Sequence, residues 1–363
     1  MNAPLPALKY NPGMRGDQDL IDRFLARQRD LSWILGRIRE TQGAPGQPCQ
    51  HMLVIGARGM GKTTLVRRVA AEVRREASLA AHWYPIVFPE ESYLPSTAGE
   101  FWLEAIFQLA GQLAGQPAGE ELRQAYEDLR KERDEARLDE RCLGVLLDYA
   151  ERADRRLLVV VENLGMLLGE QIGETDAWRL RKTLSHEPRL LVLATAVTRF
   201  EEIDGVDQAW FELFAEHVLD PLSREECEAV WTAVQGRPSE GDSIRAVEIL
   251  TGGNARLVTI MAEFSIERSF RELMDRLVEL VDSHTEYFKS HLDALPAQER
   301  KVFAVLLDLW APATAAQVAE RARLTPSLAS AQLKRLVGRG AVTITGAGKR
   351  DRRYQVTERL FNL

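Results

Sequence analysis

Eight consecutive residues, Gly56-Ala57-Arg58-Gly59-Met60-Gly61-Lys62-Thr63, combine three glycines with a lysine and a hydroxyl. Glycine permits the tight turn that aims successive backbone N–H groups at one point, and a helix opening behind the turn adds the positive end of its dipole. The chemistry of such a loop is phosphate binding. Lys62 would reach the β- and γ-phosphates of a nucleotide as a mobile cation, the Thr63 hydroxyl would ligate Mg2+, and Thr64 would support the helix start. The apolar run His51-Met52-Leu53-Val54-Ile55 in front and helical spacing behind give the strand, loop and helix context that separates this P-loop from a chance glycine-rich match.

A nucleotide-bound Mg2+ needs an acid at the end of a neighbouring strand, and Leu157-Leu158-Val159-Val160-Val161 runs into Glu162-Asn163. The usual pattern is an apolar run followed by Asp and often Glu, so the chain departs from it twice. Glu162 is the expected metal ligand beside Thr63. Asn163 cannot take a proton from water as a general base, although its amide could orient the attacking water; slow hydrolysis and a long-lived nucleotide complex follow. A shifted register stays open, in which Glu162 is the base and Val161 stands where the metal acid is missing. Replacement acid could come from Glu90 or Glu91, after the strand ending at Phe88, or these are solvated loop carboxylates. Leu190-Leu191-Val192-Leu193-Ala194-Thr195 resembles the strand whose terminal polar residue senses a γ-phosphate, with Arg199 beyond it to stabilise transition-state charge in cis or from a neighbouring subunit. The plainer alternative makes Thr195 a turn cap and Arg199 a surface cation.

Further along, Thr251-Gly252-Gly253-Asn254-Ala255-Arg256 places a double glycine in a helical stretch, which is costly unless one helix ends and another starts there. Asn254 then caps, and Arg256 projects from the next first turn. In this turn and the motifs above, the chain resembles the AAA+ and STAND ATPases, most of all their origin-recognition and bacterial or archaeal STAND branch. The resemblance implies a helical lid from which Arg256 contacts the γ-phosphate. Phe24-Leu25-Ala26-Arg27-Gln28-Arg29-Asp30-Leu31 resembles the box these families place before the P-loop, where backbone and apolar side chains such as Phe24 and Leu25 surround adenine. ATP is thereby implied over GTP, as is nucleotide-dependent homo-oligomerisation. The order of box, P-loop, acid strand, sensor strand, lid and winged helix runs from about Asp22 to Leu363, and Glu162-Asn163 is its main departure.

These residues need a scaffold, and 363 residues at 45% hydrophobic content can bury the core of two or three units. Strands are expected at His51–Ile55, Trp83–Phe88, Leu157–Val161, Leu190–Ala194 and roughly Glu216–Leu219, with helices between them; alternation of this kind implies a parallel sheet covered by helices. The expected architecture is an α/β P-loop NTPase sheet with a helical lid, followed by a winged-helix domain. Its divisions are a flexible leader at 1–21, the ATPase core at 22–220, lid and linker helix at 221–292, and the winged helix at 293–363. The charged stretch from Gly119 to Asp154 carries Leu122, Tyr126, Leu129, Leu143, Leu146 and Tyr149 at helical spacing; it reads as one or two helices lying on the sheet, too irregular for a sustained coiled coil. Cys49, Cys142 and Cys227 are too far apart for a Cys-x-x-Cys metal pair or a disulfide framework. No apolar run approaches the length of a membrane span and no signal peptide is recognisable, which leads us to expect a cytoplasmic protein.

Charge is unevenly distributed. From Pro296 onward 12 Lys and Arg face 5 Asp and Glu, a net +7, which leaves −14 for the preceding residues of a chain whose total is −7. There Thr314-Ala315-Ala316-Gln317 has the form of a capping box, Leu324-Thr325-Pro326 makes a turn, and a second helix runs from Ser327 to Gly338. Ser327, Ser330, Lys334 and Arg335 would be left to a DNA groove and backbone. A hairpin of Ala341–Thr345 and Tyr354–Thr357 would carry Lys349, Arg350, Arg352 and Arg353 near its tip, ready for phosphate contact. The same basic wing could instead dock on the acidic body. The preferred expectation is an ATP-controlled switch acting through this module on double-stranded DNA or a protein partner; a DNA-stimulated loader or motor and a regulatory piece of a larger STAND effector are the alternatives.

Overall fold

Residues 16–42, 46–89, 95–198, 203, 207–239, 242–345 and 352–362 are described by the computed structural model. They fall into two compact units, one from Asn11–Ile55 with Lys62–Leu219, the other from Asp220–Leu363 joined by the loop Gly56–Gly61.

The first unit runs α1 (Asp17–Asp22), α2 (Gln28–Gln42), β1 (His51–Ile55), α3 (Lys62–Arg75), α4 (Ala77–Ala80), β2 (Trp83–Val87), α5 (Ala98–Gln112), α6 (Pro117–Leu129), α7 (Glu135–Arg152), β3 (Arg156–Val161), α8 (Leu164–Met166), α9 (Glu174–His186), β4 (Leu190–Ala196) and β5 (Phe214–Val218). The strands form one parallel sheet in the order β2-β3-β4-β1-β5. Strands β1 and β4 are buried throughout, which is why they read as unbroken apolar runs; edge strand β5 is only partly buried and starts earlier than its weak pattern suggested. This is the α/β P-loop NTPase architecture expected.

Two expectations need correction here. Helix α1 occupies the end of the stretch read as a leader, because Leu20 is buried and gives residues 17–22 an apolar anchor that the prolines upstream obscured. The charged helices α6 and α7 lie mainly against α5 and less on the sheet: Leu122, Leu129, Leu138, Cys142 and Leu146 share one core with Phe101, Trp102 and Leu109, and Tyr149 meets the strand residue Tyr84 edge-on at 6.0 Å. Their apolar stripe needed a partner surface, and α5 supplied it first.

The second unit contains α10 (Arg224–Gln235), α11 (Ser243–Thr251), α12 (Ala255–Phe264), α13 (Phe270–Asp275), α14 (Leu277–Ser283), α15 (Thr285–Asp293), α16 (Ala297–Leu309), α17 (Ala315–Ala322), α18 (Pro326–Gly338), β6 (Val342–Thr345) and β7 (Arg353–Val356). Ser223 and Glu226 form the capping box that opens α10, and Thr314 with Gln317 opens α17 in the same way. Pro296 sits just ahead of α16 as its N-cap. Strands β6 and β7 pair antiparallel, and Val302, Phe303, Leu306, Leu333, Leu336, Val342, Tyr354 and Val356 close a core that joins helices to ribbon. At roughly 1.5–3 kcal/mol for each large apolar side chain buried, that core fixes the ribbon to the helices. A helix-turn-helix with a two-stranded ribbon is consistent with a winged helix.

Candidate nucleotide-binding site

Strand register sets the first part of the site. Val161 pairs with Ala194 and Val54 with Thr195, so Glu162 and Thr195 sit at the carboxyl ends of adjacent strands, the edge where open α/β sheets bind ligands. Glu162 is 5% exposed, and a buried carboxylate must be paired. The Thr63 hydroxyl donates to its Oε2, and Arg67 places Nε 3.4 Å from its Oε1. Arg67 was not singled out from the sequence; the available signal was its position four residues after Thr63, on the same helix face. Lys62 is the first residue of α3, followed by Thr63 and Thr64 in the first turn.

Asn163 adopts the left-handed conformation (φ 54°, ψ 48°), which asparagine tolerates better than most residues. Its backbone N–H donates to Thr195 Oγ1 at 3.1 Å, and its side-chain amide points at Met166 Sδ, 3.6 Å away. Thr195, buried at 2% exposure, thus anchors the main chain that follows the acid. Phe24 is buried with the Arg68 guanidinium 5.7 Å above its ring, whereas Leu25 is 40% exposed. Arg199, Glu90 and Glu91 lie outside the described residues.

The loop itself belongs to the second unit. Gly59 (φ 82°) and Gly61 (φ 91°) take conformations that favour glycine, and Met60 N–H donates back to Ala57 O at 3.3 Å. Gly252 and Gly253 end α11 with positive φ, and Asn254 caps α12 as expected. Asn254 Nδ2 donates to Arg58 O at 2.9 Å, and Arg256 N–H donates to Gly59 O at 3.0 Å. The Arg256 side chain is exposed, its guanidinium 4.7 Å above the Tyr287 ring. Burial pushes the Tyr287 hydroxyl well above its ordinary pKa and lifts the carboxyl of Glu358 to about 7, opposed in the second case by an Asn254 hydrogen bond.

On α18, Ser327, Ser330, Lys334 and Arg335 are all exposed. Neither Lys334 nor Arg335 enters an ion pair among the described residues, whereas Arg300, Arg321 and Arg339 of the same unit are paired with Asp293, Asp308 and Glu299. Arg352 and Arg353 are also exposed; Lys349 and Arg350 lie outside the described residues.

A turn with no space for a Cβ at Gly59, a lysine opening α3, and a hydroxyl and a carboxylate already in contact fit a magnesium nucleotide: the glycine loop for phosphates, hard oxygen donors for the cation. Together with the five-stranded parallel order, they define a P-loop NTPase. Residues 23–194 match the AAA ATPase domain family. Two solved structures resemble the chain over nearly its whole length. A Walker-type ATPase of Pyrococcus abyssi is 12% identical with a TM-score of 0.56, covering 93% of this chain and 95% of the other. The Orc1 protein of Aeropyrum pernix, in complex with DNA, is 16% identical with a TM-score of 0.50, covering 96% of each. At these identities the likeness is one of fold. No curated protein matches the chain. Among the described residues no helix is long and apolar enough to cross a membrane.

Proposed function

We propose that the protein is an ATP-binding, slowly hydrolysing switch whose nucleotide state sets the disposition of its C-terminal helix-turn-helix unit toward DNA or a protein partner. The P-loop backbone and Lys62 hold the phosphates, Thr63 and Glu162 hold Mg2+, and Arg256 contributes a cation from the lid. Bound Mg2+ would supply charge neutralisation at the phosphates. The box at Phe24 and Leu25 serves adenine, and Thr195 positions the main chain after Glu162 rather than acting alone.

One observation carries the slow-hydrolysis reading. The residue after the buried acid is Asn163, turned into a left-handed conformation with its amide toward Met166, so no carboxylate stands there to take a proton from water. The test is Asn163→Glu. Since a positioned general base contributes typically 10²–10⁴-fold, we expect turnover to rise by at least about tenfold while ATP affinity stays within a few-fold. Turnover unchanged in Asn163→Glu and already fast in the wild type would contradict the reading.

A loader or motor acting on DNA is the second reading, favoured by Lys334 and Arg335 on α18, which are exposed and outside ion pairs among the described residues. It requires DNA-stimulated turnover, which the switch does not. Action as a regulatory piece of a larger STAND-type effector is compatible with the switch.

A further inference from the structure

The apex of the P-loop is held by a side chain that is itself held from near the other end of the chain. Asn254 Oδ1 accepts from the N–H groups of Arg256 and Leu257 at 3.0 and 3.3 Å. Its amide protons go to Arg58 O at 2.9 Å and to Glu358 Oε1 at 2.6 Å. Interchanging oxygen and nitrogen would set donors against N–H groups and an acceptor against two oxygens, so the surroundings fix the amide's orientation.

Peptide planarity carries this grip into the loop. With Arg58 C=O turned to Asn254, the Gly59 N–H points the opposite way; Gly59 C=O is taken by the Arg256 N–H at 3.0 Å, and the Met60 N–H turns back to Ala57 O at 3.3 Å. Phosphate-binding loops work through the direction of such N–H groups. The fit leaves no slack, because a Cβ at Gly59 would lie 2.5 Å from Asn254 Oδ1 and 2.9 Å from the Tyr287 hydroxyl. A Cβ at Gly252 would likewise meet Thr357 O at 2.5 Å, so the cap is seated against the segment that carries Glu358. That segment directly follows β7, whose Tyr354 and Val356 are buried in the C-terminal core.

We propose that Glu358 is a positioning residue for the P-loop: through Asn254 it fixes the direction of the apex peptides, and the same contact returns nucleotide binding to the C-terminal ribbon. Coupling between two sites is reciprocal, so whatever the ribbon does for phosphate affinity, bound phosphate does for the ribbon. The inference rests on the reading that this loop binds ATP. Glu358 touches no phosphate in this account and acts only through Asn254.

The test uses the full chain, a fluorescent ATP analogue with Mg2+, and hydrogen exchange over residues 353–360. Glu358→Ala should weaken analogue binding about tenfold, the size of one hydrogen bond involving a charged group, and Glu358→Gln, which keeps an acceptor, should restore most of it. Asn254→Asp keeps both cap acceptors but sets a carboxylate against Arg58 O and Glu358, and should cost more. In the double variant Asn254→Asp/Glu358→Gln the new amide faces the new carboxylate, and about tenfold should return. ATP should slow exchange over 353–360 in the wild type and not in Asn254→Asp. If wild type and Lys62→Ala bind the analogue equally, the ATP reading fails and the relay with it. If binding depends on Lys62 while Glu358→Ala stays within twofold and exchange over 353–360 ignores ATP, the relay alone is overturned.

Discussion

Glu162 is a carboxylate taken out of water at the end of a buried strand, and Thr63 and Arg67 make that tolerable. Removing one partner of a buried pair leaves a charge that the interior penalises, so Arg67→Ala should lower the stability of the nucleotide-free protein by about 1–3 kcal/mol, less than for a fully buried pair because Arg67 is partly exposed. Mg2+ with ATP should return much of that loss, since a cation would again stand beside Glu162. Thermal unfolding with and without Mg-ATP checks both arms; an Arg67→Ala protein as stable as wild type without ligand would show that the pair carries nothing. The placement of Thr63, Glu162 and Asn163 was legible because each belongs to a short motif at a strand or helix end. Their contacts were not: Thr63 meets Glu162 across 99 residues and Asn254 meets Glu358 across 104, separations that only the fold closes.

At the scale of elements, His51 shows how a strand can hide a titratable group. It opens β1 fully buried, its Nδ1 accepting from Val192 N–H at 3.0 Å and its Nε2 left to donate to Leu184 O at 3.0 Å, and burial lowers its pKa to about 4. Above the ordinary histidine value of about 6.5 the ring is neutral folded or unfolded and adds no pH dependence. Between about 6.5 and 4 the unfolded chain takes up a proton that the native ring refuses, so stability falls as pH falls, by up to roughly 1.4 kcal/mol for each pH unit. Chemical denaturation of wild type and His51→Gln from pH 7 to 4.5 should show the steeper loss in wild type; equal slopes would remove His51 from the account. The sheet around it was legible because a buried parallel strand leaves an unbroken apolar run, as in β3 and β4. Less visible were the short helix α1, in which Leu20 alone is buried, and the placement of α6 and α7 on α5, since an amphipathic stripe says that a helix buries one face but not against what.

Across the whole molecule, charge and connectivity set what the nucleotide can govern. The last 68 residues, from Pro296, carry the +7, and on α18 Lys334 and Arg335 stand exposed and outside ion pairs among the described residues. If the unit meets DNA through this face, Lys334→Ala and Arg335→Ala should each lower duplex affinity without regard to sequence and reduce the slope of log affinity against log salt by about 0.9; unchanged slopes would move the contact elsewhere. The loop Gly56–Gly61 shares its compact unit with these helices, the connection on which the proposed switch relies. The central claim is that this chain holds ATP and spends most of its time in that state. It is tested most directly by steady-state ATP turnover with and without duplex DNA, beside Lys62→Ala. The account predicts tight, Lys62-dependent ATP binding with slow turnover that DNA changes little; fast turnover driven by DNA, or turnover that survives Lys62→Ala, would contradict it.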